Sequence, residues 1–85
     1  MIIHVKRKHI RAGHKCQPRS CPIALAIEEQ WGCDMIYVDE NQISIDNYNG
    51  YHIPRSVVRF IRKFDKKGKV TVRPFNFKLV YIPVI

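Results

Sequence analysis

Apolar residues in this chain recur at two periods, and the switches between them mark its elements. Ile23, Ala24, Ile27 and Trp31 fall at spacings of one, three and four, the period of a helix with one buried face. Leu25 and Ala26 widen that face, so this helix is expected to be nearly surrounded by protein. Ser20 or Cys21 suits its N-cap, Pro22 its first turn, and Gly32 its left-handed close. A second helical pattern runs from Pro54 to Gly68, with Val57, Phe60, Ile61 and Phe64 grouped on one side. Strand character marks Ile2–Val5, Met35–Val38 and Ile43–Ile45, and the residues Asp39 to Gln42 make a plausible hairpin turn. Asn49-Gly50 is the strongest local turn signal, flanked by Tyr48 and Tyr51, and the sheet is expected to continue through Ile53. Lys69–Val72 and Phe75–Ile82 alternate as one or two strands, broken by Pro74 and ended by Pro83.

The order strand, helix, strand, strand, helix, strand predicts an α+β fold, with two helices on one face of a small antiparallel sheet. It matches a ferredoxin-like split βαβ arrangement, although order alone does not fix strand pairing. Between the first strand and first helix lie the basic stretch Lys6–Lys15 and a loop marked by Gly13, Pro18, Arg19 and Ser20. With 85 residues, 46% of them hydrophobic, the chain is long enough for one domain, residues 1–85, around one small core.

Charge changes this picture, because it is blocked along the chain. Residues 1–20 carry six cations and no acid, residues 21–53 six acids and no cation, and residues 54–85 nine cations against Asp65 alone. Such segregation gathers one sign on one face after folding and, at a net charge of +8, attracts polyanions. Along the second helix Arg55, Arg59, Arg62 and Lys66 are spaced four, three and four, opposite the apolar side, with Lys63 and Lys67 bordering them. Cations in that register can contact successive phosphates. The same pattern also describes the solvated face of an ordinary amphipathic helix. Arg7, Lys8, Arg11 and Lys15 extend the surface if the fold brings the two basic blocks together. Tyr48, Tyr51 and His52 are the candidates for stacking on bases, whereas Phe60, Phe64, Phe75 and Phe77 fit packing positions better. Without an RNA-recognition signature among the aromatics, DNA, RNA and small nucleotides are equivalent ligands on this pattern.

Other chemistry finds less support. Cys16 and Cys21 stand at the permissive edge of zinc-ligand spacing, but no second close pair follows, so His14, Cys16, Cys21 and the lone Cys33 are read as thiols and surface imidazole rather than ligands. Cys21 before Pro22 feels a helix N-terminus, which favours thiolate, yet no orienting acid stands at a recognised spacing. The acids show no paired-carboxylate spacing, and there is no glycine-rich phosphate loop. No catalysis, cofactor or metal is therefore expected. No apolar run approaches the ~18–20 residues of a membrane span. The start is apolar first and basic afterwards, the reverse of a secretory leader, and three cysteines cannot all pair internally. Cytoplasmic residence follows as the expectation.

Cys21-Pro22-Ile23-Ala24-Leu25-Ala26-Ile27, preceded by His9-Ile10-Arg11-Ala12-Gly13, resembles the N-terminal half of small bacteriophage-encoded proteins with no assigned activity. Ile53-Pro54-Arg55-Ser56-Val57-Val58-Arg59-Phe60-Ile61-Arg62-Lys63-Phe64-Asp65, followed by Val72-Arg73-Pro74-Phe75-Asn76-Phe77, resembles their C-terminal half. The resemblance implies a phage or prophage origin and a bacterial host cytoplasm, and transfers no catalytic residue. Such a protein is expected to act by binding. The first class is a nucleic-acid or nucleotide binder. The second is an inhibitor of a host defence system, an anti-CRISPR or anti-signalling protein, that binds a host protein. The third is a zinc-stabilised adaptor.

Overall fold

Proline and glycine set the helix ends, and the hydrophobic stripes between them make the core. The computed structural model describes residues 1–82, in the order β1 (Ile2–Val5), α1 (Arg7–Ala12), α2 (Pro22–Trp31), β2 (Ile36–Val38), β3 (Ile43–Ile45), β4 (Tyr48–Tyr51), α3 (Arg55–Lys67), a 3₁₀ turn (Lys69–Thr71) and β5 (Phe75–Lys78). The fold is α+β, with antiparallel sheets throughout. Pro83, expected to end the last strand, lies outside the described residues.

At the start of α2 the Ala24 N–H donates to Cys21 Sγ at 3.4 Å, so the cysteine caps the helix. Gly32 closes it at φ 85°, a left-handed conformation that costs a side-chain-bearing residue strain. Ile23, Ala24, Ala26 and Ile27 are fully buried, while Trp31 at the far end emerges to lie edge-on against Tyr51. In α3, Val57, Phe60, Ile61 and Phe64 are buried, and each large side chain contributes about 1.5–3 kcal/mol by leaving water.

The single ferredoxin-like sheet is not what forms. β1 pairs with β5, and β2, β3 and β4 make a separate three-stranded sheet. One side chain accounts for the break. Gln30 of α2 accepts from the His4 N–H at 2.8 Å and donates to the His4 carbonyl at 2.7 Å. Those are the backbone groups of β1 that another strand would need, and the amide covers the edge instead. The free edge of β2 is covered in the same manner, by the Val38 N–H donating to the Pro18 carbonyl at 2.8 Å.

Three local expectations also change. The basic stretch after β1 contains a helix, α1, whose entry is tied by the Lys6 N–H donating to His9 Nδ1 at 2.9 Å. Lys69–Thr71 is a 3₁₀ turn rather than a strand. Asn49-Gly50 lies inside β4, and the turn falls at Asp46-Asn47, where both residues have positive φ, 52° and 69°. Two consecutive left-handed residues are what a tight type I′ hairpin requires, and Asp and Asn tolerate them best after glycine. Gly50 serves a different need. A Cβ there would meet Tyr81 at 2.6 Å, so glycine admits the chain that pairs antiparallel beside β4 through a Tyr51–Tyr81 bridge, where the Ile82 N–H donates to the Gly50 carbonyl at 2.7 Å. The hairpin Asp39–Gln42 forms as expected, with Asp39 Oδ1 accepting from the N–H groups of Asn41 and Gln42 at 2.7 and 2.8 Å.

Candidate anion-binding interface

α3 presents its positive charge to solvent because its period sets Arg55, Arg59, Arg62 and Lys66 opposite the buried apolar face. Arg55, Arg59, Arg62, Lys63, Lys66 and Lys67 are all exposed. Among the described residues one carboxylate reaches this ridge: Glu40, from the β2–β3 turn, accepts from Arg62 Nε at 3.0 Å. The other ridge cations keep their charge toward solvent.

One flank of α3 forms a groove. Ser56, Arg59, Phe60 and Lys63 line it from the helix, and Thr71, Val72, Arg73 and Phe75 line it from the segment that leads into β5. Its volume is about 370 Å³ and, among the described residues, no acid lines it. Phe75 forms part of the floor, its ring 5.0 Å from Phe60 and 6.0 Å from Phe77, and β5 holds it in register opposite Val5 of β1. Arg7 of α1 donates from Nη1 to the Val72 carbonyl at 3.4 Å, and Lys69 Nζ donates to the Arg11 carbonyl. The 3₁₀ turn thus brings the N-terminal basic block to the edge of this groove.

The opposite flank has the other sign. Ile61 and Asp65 of α3, with Cys16, Tyr37, Asp39 and Glu40, line a cleft of about 260 Å³ that contains no cation. Asp65, the lone acid of the last charge block, accepts there from the Cys16 N–H at 2.9 Å.

The remaining sequence candidates separate. Lys8, exposed, pairs with Glu29 at 2.6 Å, a contact that holds the Glu29 carboxyl below the usual range. Beside it His9 is buried, with Nε2 3.4 Å from Glu29 Oε1; burial lowers its pKa, and Glu29 opposes that only in part. Lys15 is exposed, next in sequence to the Cys16–Asp65 contact. Tyr48 and His52 are exposed and Tyr51 is half-buried between Trp31 and Tyr81. Among the described residues no hydrogen bond or ring contact joins these three to the cationic helix.

Cys21 is buried, and that burial raises its pKa, opposite in direction to a helix-end thiolate. Cys16 is exposed and Cys33 half-buried. Among the described residues no three His, Cys, Asp or Glu side chains converge as a metal site would require, and no helix is long and apolar enough to cross a membrane.

Ser56, Arg73 and Phe75 are the groove residues that periodicity missed. Arg73 stands beside Pro74 in the gap between two expected strands, and Phe75 is read among the packing phenylalanines. The signal available was local: a cation, a proline and an aromatic residue in a row, directly after a basic helix. Compared with protein-family models, with curated proteins and with solved structures, the chain matches none.

Proposed function

We propose that this chain is a small basic phage-type protein that binds a nucleic acid or nucleotide, without catalysis, through the cationic surface of α3. The observation that supports this is the ridge Arg55, Arg59, Arg62 and Lys66, exposed along its length and, among the described residues, met by a carboxylate only at Arg62. Cations held apart from acids create a positive potential that attracts phosphates, and their contacts release condensed counterions. Arg7, whose guanidinium reaches the Val72 carbonyl, adds charge at the edge of the same surface, and Lys69 donates to the main-chain carbonyl of Arg11 across the 3₁₀ turn.

The test is charge reversal. Arg59 and Arg62 both face away from the core, so Arg59→Glu with Arg62→Glu is expected to leave the fold intact, read by circular dichroism, and to abolish binding of labelled oligonucleotides at low salt. Unchanged affinity for every anionic ligand tried refutes the reading.

A second reading, an inhibitor of a host defence system acting by protein–protein contact, draws on a different part of the surface. There Trp31, Met35, Tyr48, Tyr81 and Ile82 are all exposed. Exposed apolar surface of that kind fits a protein partner. It requires a stable complex with one host protein that survives moderate salt, which a phosphate-binding ridge does not.

A further inference from the structure

Building on the reading above, we propose that the groove between α3 and residues 71–75 seats one unpaired nucleotide of a single strand, its phosphate between Arg59, Lys63 and Arg73 and its base against Phe75. A ridge of cations alone reads phosphates, which duplex and single strand both offer. The groove adds what only an unpaired base can use: an aromatic ring beside the cations.

The geometry supports each part. Arg59 and Lys63 stand one helical turn apart on the same wall, and Arg73 stands on the wall opposite. Among the described residues no acid lines the space, so the three cations repel one another until an anion enters. Ser56 and Thr71 supply hydroxyls on the two walls; Thr71 Oγ1 already donates to the Gly68 carbonyl at 2.8 Å and keeps its lone pairs for an incoming donor. Phe75 is only half-buried, unlike Phe64 and Phe77, and is held from behind by Phe60 and by the β1–β5 pairing. Such a platform is organised before the base arrives, which spares the cost of ordering it. A volume of about 370 Å³ lies at the small end of ligand sites and matches one nucleotide rather than an extended ligand.

The experiment compares binding of a labelled short single strand and of a duplex of equal length, by fluorescence anisotropy over a salt series. The native chain is expected to prefer the single strand. Phe75→Leu is expected to weaken single-strand binding on the order of tenfold while leaving duplex binding unchanged. Arg73→Gln, at an exposed position, is expected to flatten the slope of log affinity against log salt by about 0.7. Phe75→Tyr keeps the ring and is expected to bind as the native chain does, which separates stacking from folding should the leucine variant be unstable. Equal native affinity for strand and duplex overturns the proposal. So does unchanged single-strand affinity in Phe75→Leu and Arg73→Gln when the Arg59, Arg62 double reversal still abolishes binding; the cationic ridge then stands without the groove. No binding of either nucleic acid at low salt overturns both.

Discussion

The two flanks of α3 differ in sign although they share one helix and one hydrophobic floor. On one side Arg59 and Lys63 face Arg73 across a groove with no acid; on the other Ile61 and Asp65 face Asp39 and Glu40 across a cleft with no cation. The partners explain the difference. The acidic flank packs against the turn from the acidic middle of the chain, and the basic flank against the basic C-terminal segment, with Arg7 arriving from the N-terminus. Charge segregation along the sequence has become segregation across a single helix. Asp65, the one acid among the last cations, lies on the acidic side. An approaching anion is drawn to one flank and repelled by the other, so the arrangement sets orientation as well as attraction.

Removing what the flanks share breaks the comparison outright. Phe64 is 1% exposed and stacks at 6.0 Å on Phe60 beneath both. Phe64→Ala is expected to cost about 3–5 kcal/mol, through lost burial and the cavity left behind. At roughly 4–8 °C per kcal/mol for a domain of this size, thermal unfolding followed by circular dichroism should fall by well over 10 °C. A small shift would mean that the helix is held from its polar side.

Acid is expected to act through the basic flank. His9 lies on α1, which also carries Arg7, and its Nδ1 accepts from the Lys6 N–H that starts the helix. Protonation would put a hydrogen where that acceptor is needed. Burial opposes the charged form most, Lys8 and Lys6 add to it, and together they outweigh Glu29, which favours the charge, so the folded pKa lies below 6.5. The unfolded chain then takes up the proton first. His9 therefore contributes stability that is present above pH 6.5 and lost as pH falls below it. Between about pH 7.5 and about pH 5.5 the native chain should lose more melting temperature than His9→Gln, which cannot titrate there. Equal losses would remove His9 from the argument.

How far these features were legible in the sequence depended on their range. α2 and α3 follow from proline, glycine and a helical stripe, all of them local, and both form where the pattern places them. At six residues, α1 is too short to show a period, and its cap is a histidine ring rather than a usual capping residue. The split sheet depends on Gln30 meeting His4 from 26 residues away, which no window along the chain contains. Asn49-Gly50 carries a genuine turn signature, but Gly50 is needed for the close approach of Tyr81 alongside β4, and Asp46-Asn47 makes the turn. The ridge on α3 was readable for the same reason as the helix itself. The groove was not, because its second wall comes from Thr71–Phe75 and its charge balance from which acids stay away.

The finest test of the two-sided helix is the single place where the signs touch. Arg62 Nε and Glu40 Oε2 are 3.0 Å apart, with 67% of the Arg62 side chain and 45% of the Glu40 side chain exposed. Water screens such a pair, so its contribution is about 0.2–1 kcal/mol and Glu40→Gln should barely move the melting temperature. Its effect on binding has the opposite sign. Freeing Arg62 adds a ridge cation for phosphate and removes a repelling carboxylate, so affinity at low salt should rise and the salt slope steepen by up to about 0.7. If affinity fell instead, Glu40 would be holding Arg62 in its binding pose. The acidic flank would then be part of the interface rather than its boundary.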